Sequence, residues 1–157
     1  LSVALAPRVM AAAVSVAHEA GDAAAADALW REAGGAAYFG LYKVLVPPKE
    51  GSDGGWTVLV DQAVRRQPHA QNTALDLSSC NDGVMHAALR AEAWRLRAQP
   101  ASAVSYVYTG TFTAHRQARA TALRELMGAA GVQTSLVHRT PGLFSVSVRA
   151  PEQAPRE

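Results

Sequence analysis

Apolar positions along the chain recur with two different periods, and the switches between them mark the elements. Val9, Met10, Val14 and Ala17 fall at helical spacing, "HEAGD" breaks the pattern, and Asp22 or Ala23 opens a second helix that ends near "AGG". Residues 7–33 therefore predict two short helices or one broken one, with alanine allowing close packing against something flat. "AYFGLYKVLV" at 37–46 is aromatic and β-branched, and Pro47 and Pro48 stop it, which predicts a strand. The glycine-rich turn "KEGSDGG" leads to a second strand, "WTVLVDQ" at 56–62. After "RRQPHAQ", a third follows in "NTALDLSS". Three strands with short polar connections predict an antiparallel meander.

Beyond Cys80 the rhythm changes. Asn81 or Asp82 can cap a helix running to about Gln99, with Pro100 just past its end. Residues 103–109 predict a strand, 114–130 a helix ended by Gly131, and "TSLVHR" and "LFSVSVRA" short closing strands. The expected fold class is α/β: a mixed sheet in which a three-stranded antiparallel meander is followed by αβαβ, with helices packed on it. This order resembles the ribonuclease H-like architecture. The expected division is a helical N-terminal extension at 1–36, a single α/β domain at 37–150 and a disordered tail at 151–157.

Composition adjusts this picture in a few places. A chain of 157 residues can bury a substantial core as one domain. Aromatics are only 6%, so closely packed helices are expected rather than large pockets. The single Cys80 excludes an internal disulfide framework and fits a reducing compartment. No apolar stretch approaches the roughly 20 residues of a membrane-spanning helix. The opening "LSVALAPRVMAAAVSVA" could pass for a secretory h-region, but Arg8 interrupts it and the pattern continues past His18. A helix of the mature chain is the expectation. With no initiator Met, the chain reads as processed or truncated, its targeting segment already lost.

Net charge is only +2, yet it is unevenly spread. Residues 1–63 carry four basic and seven acidic side chains, and residues 64–149 carry ten basic and four acidic. Thirteen of the cations are arginines, whose planar fork suits phosphate and buried interfaces better than lysine does.

Most catalytic chemistry finds no support. Two-metal catalysis needs several convergent carboxylates. The strands at 37–46 and 103–109 have none, and Asp61 and Asp76 are single acids near strand ends. His18, His69, His86, His115 and His138 are scattered without metal-ligand spacing. Cys80 lies at a strand-to-helix junction but has no partner base. Nucleophile-elbow, Walker A and dinucleotide-binding patterns are missing, and "GSDGGW" between strands reads as a hairpin turn.

Two features suit anions. Thr109, Gly110 and Thr111 link a strand to a helix, where backbone N–H groups and hydroxyls favour negative charge. His115, Arg116 and Arg119 add cations to that first turn, where the helix dipole disfavours them unless an anion compensates. On the helix at 82–99, His86, Arg90, Trp94 and Arg97 form one stripe, apart from the core-facing Met85, Leu89 and Leu96. Cations around an aromatic suit RNA backbone and stacked bases. Trp94 half-buried under arginine stems, and a merely solvated basic face, are the plainer alternatives. Together with Arg65 and Arg66 in a turn, the two features predict a basic surface spread over several elements.

"NTALDLSS", the following helix and "AVSYVYTGTFTAHRQARATALRELMGAAGV" are similar to the core of the universal large-subunit ribosomal protein eighteen family. The matching positions are Gly110, Phe112, His115 and Arg116 in the loop, and Leu123, Gly131 and Val132 along the helix. The likeness spans roughly residues 37–133. The small-subunit ribosomal protein eleven family, of the same general architecture, competes through "GVQTSLVHRTPG", although its glycine-proline-rich loop is missing here. The large-subunit family binds 5S rRNA in bacteria. Here its basic N-terminal segment is replaced by an acidic, alanine-rich region, as a protein-rich mitochondrial ribosome would explain.

The resemblance implies a non-catalytic constituent of the ribosome, in the mitochondrial matrix, without a cofactor, metal, membrane or small-molecule substrate. Arg65, Arg66, Arg90, Arg97, Thr109, Gly110, Thr111, His115, Arg116 and Arg119 would hold rRNA, and the N-terminal region would meet neighbouring ribosomal proteins. The alternatives are a small α/β enzyme holding a phosphorylated ligand at the 109–116 loop, and an RNA-free scaffold or assembly subunit of an organellar complex.

Overall fold

A computed structural model of the chain describes residues 6–59, 72–111 and 113–148. Helix α1 (Pro7–Glu19) starts on a proline, and α2 (Ala23–Ala33) is capped by Asp22, whose carboxylate accepts the Ala25 N–H at 3.0 Å. One helical turn, α3 (Gly35–Tyr38), precedes β1 (Tyr42–Val46). The strand expected from residue 37 thus begins five residues later. Gly34, Gly35 and Gly40 all adopt positive φ, which winds this stretch into turns and lays Phe39 on the Trp30 ring at 5.1 Å.

Next come β2 (Thr57–Leu59), β3 (Thr73–Asp76) and α4 (Asp82–Ala98), whose cap Asn81 accepts the Val84 N–H at 2.8 Å. After a 3-10 turn at Pro100–Ser102 follow β4 (Tyr106–Tyr108), α5 (Thr113–Ala129), β5 (Val132–Leu136) and β6 (Leu143–Val148).

The protein is α/β, with an open mixed sheet of order β2-β1-β3-β4-β6-β5 among the described residues. Its first three strands pair antiparallel, but not as the expected meander, which would put β2 in the middle. Strand β1 takes the centre, Val44 pairing with Leu59 on one side and Thr73 on the other. Tyr42 and Leu45 are both buried and belong to clusters on opposite faces, so β1 meets the demand of an interior strand. Strands β3 and β4 run parallel, joined by α4, and the β4–α5–β5 crossover brackets β6, which is antiparallel to both neighbours.

Helix α4 packs against α1, α2 and α5. The main core gathers Val14, Ala26 and Trp30 from α1 and α2 with Leu89 and Ala93 of α4, Leu123 of α5 and Val107 and Phe144 of the sheet. Residues 7–33 are therefore built into the same core as the strands. The other sheet face holds a smaller cluster, Leu45, Ala74 and Leu143, with Trp56, Tyr106 and Tyr108 packed against it. The Trp56 N–H donates to Thr140 Oγ1 at 2.9 Å, docking the glycine-rich turn onto the β5–β6 connection.

Candidate nucleic-acid interface

Helix α4 carries the stripe of His86, Arg90, Trp94 and Arg97, and its surroundings decide what each residue can do. His86 turns toward α1: its Nδ1 lies 2.8 Å from the Asp82 carbonyl and its ring 4.5 Å from that of His18. Arg90 faces α2 and forks onto Asp27, with Nε at 2.9 and 3.1 Å and Nη2 at 2.8 Å from the carboxylate oxygens. This bidentate pair consumes the charge that a phosphate would need. Arg97 reaches the other way, donating to the Ala130 carbonyl at 2.6 Å, where it satisfies an orphan acceptor at the end of α5. Trp94 has no such occupation.

The Trp94 side chain is 58% exposed at the mouth of a cleft of about 580 Å³ between α2 and α4. Arg31, Arg90 and Arg95 line that cleft with the buried Trp30, and Asp27 is its only carboxylate among the described residues. With Asp27 taken up by Arg90, Arg31 and Arg95 are the cations this lining offers to an anion. Arg95 is held from below by the Tyr42 hydroxyl at 2.8 Å, next to the buried Glu92. Burial, and then the Glu92 charge, push the Tyr42 hydroxyl above its ordinary range against the opposing pull of Arg95. Tyr42 therefore stays a neutral partner of the Arg95 guanidinium.

The loop at Thr109, Gly110 and Thr111 is filled by its own chain. The buried Thr109 hydroxyl donates to the Gly142 carbonyl at 3.2 Å. Gly110, at φ +87°, is packed so closely that a Cβ there would stand 2.9 Å from the Ser78 Cβ. A Cβ on Gly142 would lie 2.3 Å from the Gly110 carbonyl oxygen. The close backbone approach expected of Gly110 is thus made by Ser78 and Gly142. Only Thr111 is exposed.

Helix α5 divides its cations. The Arg119 side chain, 12% exposed, donates to the Leu77 and Cys80 carbonyls and lies 3.8 Å from Asp82. It clamps the β3–α4 connection. His115 and Arg116 are exposed, and Arg116 faces a groove between α5 and β6. Arg65 and Arg66 lie outside the described residues, as does Phe112. The expected continuous surface does not form among the described arginines: Arg90, Arg97, Arg116 and Arg119 point toward α2, the end of α5, β6 and the Leu77–Cys80 turn.

Cys80 is pushed up to about 11 by burial, which outweighs the neighbouring Arg119, so its thiol is a weak nucleophile. Sequence reasoning missed Arg31, Arg95 and Asp27. The i, i+4 spacing of Asp27 and Arg31 on an amphipathic helix was the available signal. It gained meaning only once α2 lay beside α4. Compared with protein-family models, curated proteins and solved structures, the chain matches none.

Proposed function

We propose that the chain is a non-catalytic RNA-binding protein of the kind built into ribosomes, the mitochondrial ribosome being the assembly that the sequence resemblance suggests. The observation that carries this reading is Trp94. A folded chain gains roughly 1.5–3 kcal/mol by burying a large apolar side chain. Leaving an indole outward beside Arg31 and Arg95, with Arg90 already paired to Asp27, suits a base stacked on its face and phosphates at those two arginines. The contact is compact, centred on α2 and α4. Backbone and stacking contacts suffice for it, without reading a base sequence.

The test is binding of a fluorescein-labelled single-stranded oligouridine to wild type and Trp94→Ala, followed by salt titration. Stacking is worth about 1–3 kcal/mol per base, so a loss of about tenfold or more is expected, with unchanged unfolding free energy. Equal affinity of the two proteins would overturn the assignment of the cleft. Sedimentation of the native protein with ribosomal particles in high salt tests the assembly.

A second reading, an RNA-free scaffold, draws on a different observation. The charges of Arg90 and Arg119 are met within the chain, and α1 leaves Val9 and Val16 exposed for a protein neighbour. Exclusive migration in an RNA-free complex would favour it.

A further inference from the structure

Among the described residues strand β5 ends the sheet, and no described strand pairs with its outer edge. Natural edge strands are blunted by lysine, proline, bulges or a covering segment. "VQTSL" carries no charge and no proline, and its Gln133 and Ser135 are exposed. Beside this edge, on the helix-bearing side of the sheet, lies the groove of about 370 Å³ between α5 and strands β5 and β6. Its floor is Phe144 and Leu136, which are register partners, and Leu136 is 56% exposed.

Arg116, Ala120 and Arg124 form the wall, on one face of α5. Arg124 stands 5.4 Å from the centre of the Phe144 ring. Neither arginine meets a carboxylate among the described residues, and Glu125 does not line the groove.

We infer that this edge and groove receive an extended acidic peptide from a partner protein, added as a strand alongside β5. The two arginines are eight residues apart on a helix, about 12 Å along its axis. In an extended strand, residues four apart are separated by about 13 Å and point to the same face. An acid–x–apolar–x–acid segment therefore matches Arg116 and Arg124 with its carboxylates and the exposed Leu136 with its central side chain. Main-chain hydrogen bonds to β5 supply affinity, and the side-chain pattern supplies specificity. Nucleic acid lacks the backbone donors and acceptors that continue a sheet. A second copy would bring this arginine-bearing patch against itself, because a two-fold interface presents the same surface from both sides.

The experiment is fluorescence polarisation with the labelled peptide STDTLTDTS, its lysine counterpart STKTLTKTS and an oligouridine, joined to hydrogen exchange of the complex. The acidic peptide is expected to bind saturably and to protect amides of residues 132–136. The lysine peptide and the oligouridine are expected not to compete with it. The double variant Arg116→Glu, Arg124→Glu should weaken binding by about tenfold or more, since like charges now meet. Leu136→Ser should also weaken it, by removing the apolar contact without changing any charge. All three positions are exposed, and circular dichroism verifies that each variant is folded. Lack of saturable binding, equal binding of the lysine peptide, unprotected β5 amides in the complex, or a wild-type dimer broken by Leu136→Ser would each overturn the inference.

Discussion

Glu92 is a charged residue by sequence and only 2% exposed in the fold, set where α4 faces the turn into β4. Its carboxylate accepts the Val104 N–H at 2.7 Å, fixing the entry to that strand. Burial raises its pKa above the ordinary 4.5, and the Val104 N–H and Arg95 only partly offset this. A carboxyl that holds its proton more tightly when folded contributes stability below its unfolded pKa. That contribution is lost as pH rises through the raised folded value. Urea unfolding at a series of pH values should therefore show wild-type stability falling as pH climbs above 4.5, a component that Glu92→Gln lacks while keeping an acceptor for Val104. Superimposable profiles would contradict it. The same logic applies to Cys80. With its thiol pushed up to about 11, iodoacetamide labelling followed by mass spectrometry should be slow at neutral pH and still accelerating beyond pH 9. Neither environment was legible in the sequence, because Val104 and Arg119 reach these residues only across the fold. Arg119 is the instructive case. At the start of a helix it reads as an anion seeker, yet two backbone carbonyls of the β3–α4 turn occupy it.

At the level of elements, local chemistry located most segments. The Asp22 and Asn81 caps, the Pro100 stop and the Gly131 end of α5 fall where side-chain hydrogen bonding and backbone freedom require. The error over residues 37–41 arose because aromatic, β-prone side chains were weighed above Gly34, Gly35 and Gly40, whose positive φ angles bend the chain. Pairing was the larger gap. Which strand sits beside β1 depends on both its faces finding cover, and no local pattern states that. The α1–α4 crossing was equally hidden. A Cβ on Gly83 would lie 2.7 Å from the Ser15 Cα and 3.0 Å from the Val14 carbonyl oxygen. In an isolated helix Gly→Ala gains about 0.8–1 kcal/mol, whereas forcing a backbone apart in a packed contact costs about 1–3 kcal/mol. The contact wins because both opposing atoms are main chain. Gly83→Ala should lower the unfolding free energy by about 1–2 kcal/mol in urea and speed amide exchange in α1. A stabilised variant would show that α1 yields freely.

Across the whole molecule, the charge split between the two halves of the sequence turns out to be used partly inside the fold. Acidic Asp27 and Asp53 of the first half take Arg90 and Arg139 of the second at 2.8 and 3.1 Å. The sequence displayed the asymmetry plainly, but it could not say whether an external polyanion or the chain itself balances it. That distinction can be made at one residue. Asp27→Asn keeps the shape of the Asp27 side chain, removes the carboxylate paired with Arg90 in the Trp94 cleft and leaves that arginine free of it. The pair is partly solvated, so its loss should cost about 1 kcal/mol of stability. If the cleft holds RNA, oligouridine should bind the variant more tightly. The slope of log affinity against log salt should steepen by about 0.7, the increment for one added phosphate contact on a single strand. A destabilised variant with unchanged RNA affinity and salt slope would instead assign Arg90 a purely architectural role, holding α2 against α4, and would move the weight of the functional reading to the protein-binding surfaces.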